Sequence, residues 1–147
     1  LQHAGMAGGL FGTAAHPWAG EEADAPTYQD WAAVHRDWSA ATGAVFATRR
    51  TAMEAVGGFD ERFTLEFNDV DLCLRLRMLG YRIVCTPFAE LEHREKASRG
   101  ADLPKAAEVA LFFARWRDWL DADPAWHPAL AVDRFAVQPA EGADALA

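Results

Sequence analysis

Two carboxylates, Asp69 and Asp71, lie one residue apart in the stretch FNDVDLCLRLRMLGYRIV, residues 67–84. A carboxylate can take a proton from a hydroxyl, pair with a cation or ligate a metal, and its surroundings decide which. Both stand where an apolar helix begins. Unpaired backbone N–H groups and the macrodipole favour negative charge there, so either aspartate also suits plain helix chemistry. Asp71 precedes Arg75 by four residues, the favourable order for an i, i+4 pair worth about 0.2–0.5 kcal/mol, and reads as structural. For Asp69, the neighbours Phe67, Val70 and Leu72 predict a half-buried carboxylate beside a second one, which is how a general base is prepared. His93 is the third candidate, at the expected end of a strand in LEHREKASRG. Arg94, Lys96, Ser98 and Arg99 follow it and either face an anionic group or form a solvated charged loop.

The elements that must position these residues are legible from periodicity. Val70, Leu74 and Met78 make one stripe and Leu72, Leu76 and Leu79 another, predicting a helix covered on more than one side. Asn68 suits its N-cap and Gly80 its end. YRIVCTP reads as a strand closed by Pro87, and FAELEH as a further short strand leading to His93. Upstream, the apolar run after Thr42-Gly43 predicts a strand near 41–48, and Thr51 a capped short helix stopped by left-handed Gly57. Downstream, Pro104 opens a long helix whose Val109, Phe112, Phe113, Trp116 and Leu120 recur at helical spacing. Residues 1–20 read as a short strand and a Gly-rich loop; GMAGGLFG lacks the spacing of a dinucleotide fingerprint. Residues 21–38 read as a loop with a short helical turn, and residues 131–147 as a frayed tail. Alternating strands and helices give an α/β class, but three or four strands are too few for a doubly wound sheet, so a fragment of a longer protein is expected.

The totals bound the function. The 147 residues are half hydrophobic, with six Trp and nine Phe, enough for a core and one domain. A formal charge of −8 argues against gripping nucleic acid and for a ligand that is neutral, cationic or bridged by a metal. Cys73 and Cys85 lie in apolar runs without a CxxC pattern and read as buried thiols in a reducing compartment. No run approaches the roughly 18 apolar residues of a membrane span, and no secretory signal is read at the start.

Several segments together resemble one family. ATGAVFATRRTAMEAVGGFDERF, NDVDLCLRLRMLGYRIV and LEHREKASRG, with LQHAG before and DPAWHPAL after them, are similar in order and spacing to the C-terminal half of family 2 glycosyltransferases of the GT-A fold, in particular the rhamnosyltransferase-like enzymes of bacterial surface polysaccharide synthesis. The resemblance implies a partial GT-A fold, a mixed sheet of few strands flanked by helices. It also implies that a nucleotide-binding half with an Asp-x-Asp motif precedes Leu1, so that the present chain alone is inactive or very weak. It implies transfer of a sugar, with inversion, from a nucleotide-diphosphate donor to a glycan or lipid-linked acceptor, with Mg²⁺ or Mn²⁺ neutralising the departing diphosphate. By position Asp69 would be the general base, and Asn68 stands where many members have Glu. Asp71 and Arg75 would support it. Thr42, Gly43 and Ala44 would line the sugar site, His93 would touch metal or diphosphate, and Ser98 and Arg99 would assist. A cytoplasmic place, including the inner face of the membrane, follows, and a homo-oligomer stays open.

Two rival readings stand beside this one. Tyr28, Trp31 and Trp38 would suit sugar stacking in a non-catalytic glycan-binding or protein-interaction module. Asp69, Asp71 and His93 would serve a metal-dependent hydrolase, although they show no recognised ligand spacing.

Overall fold

The computed structural model describes residues 1–64, 66–93 and 105–141, and in them the chain is α/β with short strands. Strands β1 (Ala7–Gly8) and β2 (Ala14–Ala15) form one antiparallel ribbon, and β3 (Arg36–Trp38) and β4 (Ile83–Cys85) another. A bridge of two hydrogen bonds between Met6 and Ala40 links the ribbons. The expected single mixed sheet is therefore two small antiparallel ones among the described residues. Helices α1 (Arg50–Ala55), α2 (Asn68–Met78) and α3 (Ala106–Asp121) complete the fold.

The helices follow their apolar spacing. Both α1 and α2 end on glycines with positive φ, Gly57 at 74° and Gly80 at 84°. After α2, the Tyr81 N–H reaches the Leu76 carbonyl and the Gly80 N–H the Arg77 carbonyl, so a left-handed glycine lets two orphan carbonyls be satisfied. The starts differ from expectation. Arg49, not Thr51, occupies the N-cap of α1, and Phe67, not Asn68, that of α2; neither caps through its side chain. Pro104 lies outside the described residues, as does the polar run 94–100.

The strand expected near 41–48 is a bend around Thr42, Gly43 and Ala44. Alanines and a glycine offer little side chain for cross-strand packing. The strand sits earlier, at β3, where Trp38 and Ile83 pair on the inner face and Asp37 and Val84 on the outer. FAELEH forms no strand. The tail is not frayed over residues 131–141. Phe11 and Trp18 donate backbone hydrogen bonds to the carbonyls of Val132 and Phe135, and Val137 is buried.

Two apolar clusters result. One joins the three helices around Leu72, Cys73, Leu76, Phe112 and Trp116. The other gathers Leu10, Trp18, Trp38, Trp126, Leu130 and Val137. Both cysteines are free, and burial pushes the Cys73 thiol up to about 12, so it stays an inert thiol.

Candidate functional site

The site is built at the start of α2. Phe67 is in the left-handed region, φ 66°, which for a bulky residue costs about 1–2 kcal/mol. Its ring stacks on Phe112 with centroids 4.2 Å apart, and that contact holds it there. Asn68 opens the helix, and its Oδ1 accepts the Asp69 N–H at 2.7 Å. Asp69 Oδ1 in turn accepts the Val70 N–H at 2.8 Å. Two of the helix's orphan donors are thus satisfied by the residues at its mouth. The other carboxylate oxygen of Asp69 accepts the Gly43 N–H at 2.8 Å. Gly43 can approach because it has no side chain; a Cβ there would lie 3.3 Å from the Cβ of Asp69. Asp69 is half-buried, while Gly43 and Ala44 are exposed. Thr42 Oγ1 accepts the Ala44 N–H at 3.3 Å, shaping the turn. The structure therefore brings Asp69, Asn68 and the Thr42–Ala44 turn together at one surface. Each oxygen of Asp69 retains a lone pair beyond its backbone hydrogen bond, so a hydroxyl can still donate to it.

Asp71, also in the first turn, is fully buried. Its Oδ2 accepts from Arg75 Nε at 2.8 Å, the pair read from the i, i+4 spacing. Its Oδ1 accepts from Arg115 Nη1 at 2.5 Å and Trp116 Nε1 at 3.0 Å. Arg75 also donates to the Val56 carbonyl, and Arg115 to Asp60. Arg62 grips the same Asp60, and these donors hold its carboxyl well below the usual range. Asp71 is therefore an internal anchor with no face toward solvent.

His93 is elsewhere in its contacts. Its ring is exposed, with Nδ1 2.6 Å from Gln2 Oε1, and it does not touch Asp69. Ser98 and Arg99 lie outside the described residues. Among the described residues no three or more His, Cys, Asp or Glu side chains gather as metal ligands. A cavity of about 140 Å³ is lined by Ala41, Val45, Phe46, Leu76, Tyr81 and Ile83. Trp38 is fully buried, and Trp31 is packed edge-to-face against Trp18, Trp38 and Trp126 with the Arg36 guanidinium 3.7 Å over its ring. Trp38 is thus interior and Trp31 half-buried, while Tyr28, edge-on to Trp31, is exposed, so the three do not present one open stacking surface.

Sequence reasoning missed Arg115, Trp116, Asp60 and Glu108. Glu108 and Arg115 were detectable as charged residues on the apolar stripe of α3, four before and three after Phe112, where a core-facing helix has no reason to carry them unpaired.

No protein-family model matches the chain, and no solved structure matches it significantly. Curated relatives do. Over 138 residues, 90% of the chain, it is 41% identical to the O-antigen biosynthesis protein RfbC of Myxococcus xanthus. Over 144 residues, 91% of the chain, it is 41% identical to an uncharacterized protein, y4gI, of Sinorhizobium fredii. Over 61 residues, 42% of the chain, it is 43% identical to the N-acetylglucosaminyl-diphospho-decaprenol L-rhamnosyltransferase of Mycobacterium tuberculosis. The chain spans only 11%, 16% and 20% of the lengths of these proteins. The similarities point toward proteins of bacterial polysaccharide biosynthesis, a rhamnosyltransferase among them.

Proposed function

We propose that this chain is the acceptor-side segment of a family 2, GT-A-type glycosyltransferase of bacterial surface polysaccharide synthesis, with Asp69 as its general base. The observation that carries the proposal is the placement of Asp69. Its half-buried carboxylate is held at the α2 mouth by the N–H groups of Gly43 and Val70. The similarity to the rhamnosyltransferase supports the reaction class.

In this reading an acceptor hydroxyl, on a glycan or a lipid-linked sugar, enters beside the Thr42–Ala44 turn. Asp69 takes the hydroxyl proton as that oxygen attacks the anomeric carbon of a nucleotide-diphosphate sugar. The bond to the diphosphate breaks, the diphosphate leaves with the electron pair, and the anomeric carbon is inverted. The two backbone donors fix the carboxylate's direction, so its proton-accepting lone pairs face one approach. Asn68, whose Oδ1 accepts the Asp69 N–H, would contact the substrate through its amide N–H₂. A Mg²⁺ or Mn²⁺ would neutralise the leaving diphosphate. The described residues do not make its site by themselves, because His93 is a single exposed ligand, and no step here runs through the metal. His93, Ser98 and Arg99 would contact the diphosphate, with ligands from a nucleotide-binding half completing the set. Among the described residues no helix is long and apolar enough to cross a membrane; a lipid-linked acceptor would place the work at the inner membrane face.

The test is Asp69→Asn in the full-length protein, assayed against a panel of nucleotide-diphosphate sugars. Transfer is expected to fall at least about 100-fold, the size of a general-base contribution, while nucleotide-sugar binding by calorimetry stays at the parent level. Retained transfer would remove Asp69 from this role.

A further inference from the structure

Residues 60–64 and 66–67, which lead into α2, form neither helix nor strand, so their position must come from elsewhere. One face of α3 supplies it. Glu108 accepts from the Thr64 hydroxyl at 2.6 Å and the Glu66 N–H at 3.2 Å. One turn on, Phe112 carries the stacked ring of Phe67. The next turn presents Arg115 and Trp116. Arg115 joins the start of the segment to α2, with Nη2 2.9 Å from Asp60 and Nη1 on Asp71. Positions 108, 112, 115 and 116 share a helix face, so a rigid rod grips the segment at successive points.

We infer that Arg115 is a positioning residue that sets where the mouth of α2, and with it Asp69, stands against the Gly43 turn. The inference rests on the proposed role of Asp69. Asp71 is two residues from Asp69 on the same first turn, so its position and that of Asp69 move together. A guanidinium can hold Asp60 and Asp71 at once because its two Nη atoms form a planar fork. A lysine ammonium is a point charge and satisfies one carboxylate at a time. The buried Trp116 N–H and Arg75 remain on Asp71 when Arg115 changes, so the anchor loses its direction before it loses all its partners.

The experiment uses Arg115→Lys, Arg115→Met and Asp60→Asn in the full-length protein, with Asp69→Asn as reference. Turnover is measured with whichever nucleotide-diphosphate sugar of the panel gives the fastest transfer. Displacement of a base by a fraction of an ångström to an ångström predicts a kcat loss of about 10- to 100-fold for Arg115→Lys, with donor KM within twofold. Asp60→Asn should give a smaller loss in the same direction. Hydrogen–deuterium exchange should speed up in peptides bearing the Gly43 and Val70 amides, the two donors on Asp69, with exchange elsewhere in α2 unchanged. If Arg115→Met does not fold, Arg115→Lys and Asp60→Asn carry the test. Parent kcat and parent exchange in a folded variant would overturn the inference, as would a raised KM at unchanged kcat. If instead Asp69→Asn keeps parent turnover, the reading of Asp69 as base has failed, and the Gly43 and Val70 exchange alone judges whether Arg115 positions the helix mouth.

Discussion

Gly43 stands so close to Asp69 that a single methyl group matters. The missing Cβ would meet the Asp69 Cβ at 3.3 Å and Oδ2 at 3.7 Å. The first contact is tighter than ordinary packing, and because a Cβ moves only with its backbone, the exposed Gly43 turn must give by a few tenths of an ångström. Gly43 is not among the glycines with positive φ, so alanine meets no backbone strain there. Gly43→Ala is therefore expected to change stability by less than about 0.5–1 kcal/mol, as surface substitutions do. It should nevertheless turn the carboxylate away from the turn and lower transfer about tenfold or more. Thermal melting and turnover measured on the same preparation check both halves; a large stability loss with unchanged activity would place Gly43 in the scaffold instead. Asp69 and Asp71 thus part company at this scale. The same residue type, two positions apart, is in one case set toward a surface turn and in the other enclosed by three donors.

At the scale of elements, the helices and the strand within YRIVCTP, β4, were legible, and the strand at Arg36–Trp38 was not. The stripes of α2 and α3 repeat over three turns or more, and their ends carry glycines or a break. Met78 and Leu79 are the exception; they extend the predicted stripes yet are exposed at the far end of α2. The strands are two or three residues long, too short for alternation to show. The run after Thr42 looked more strand-like than Arg36–Trp38 because its residues are apolar, whereas β3 gains its place by pairing with a segment about 45 residues away. The candidate site was half legible for a similar reason. Helix chemistry and resemblance pick out Asp69, but the contacts of Asp71 with Arg115 and Trp116 span 44 and 45 residues and leave only the faint sign of charge on an apolar stripe. The element that makes those contacts yields its own prediction. Phe112 is fully buried between Phe63, Phe67 and Phe113. Phe112→Ala should cost about 3–5 kcal/mol by urea denaturation and free Phe67 from its left-handed conformation. Phe113→Ala, half-buried beside it, should cost clearly less. Equal costs would mean that the stack on Phe67 adds nothing.

For the whole molecule, the first residues act as a strap. The Leu1 amino group donates to the Glu21 carbonyl, Gln2 meets His93, and Met6 pairs with Ala40. Between them His3 is half-buried, with Nδ1 3.0 Å from His16 Nδ1 and Nε2 4.0 Å from the Cys85 sulfur. Burial first, and the neighbouring His16 second, pull the His3 imidazole from its ordinary 6.5 down to about 4. The folded protein therefore holds this ring neutral in a range where the unfolded chain protonates it. The unfolded state binds more protons below pH 6.5, so stability falls as the pH falls. The contribution is complete above about pH 6.5 and is lost progressively toward pH 4, where the folded ring also titrates. Between pH 7 and pH 4.5 this amounts to on the order of 2 kcal/mol. Replacing His3 by Gln removes the titration while keeping a polar side chain of similar reach. His3→Gln should thus be somewhat less stable than the parent at pH 7, yet show a flatter acid limb, the two curves converging near pH 4.5. Urea denaturation at half-unit pH steps, with β-ribbon and helix signals followed separately, checks this. Parallel curves for parent and variant would mean that the strap is not closed by a neutral His3, and that the acid sensitivity of this fold lies elsewhere, with the buried carboxyl of Asp123 excluded as its source, since burial pushes that group up and its release of a proton on unfolding would favour stability at low pH.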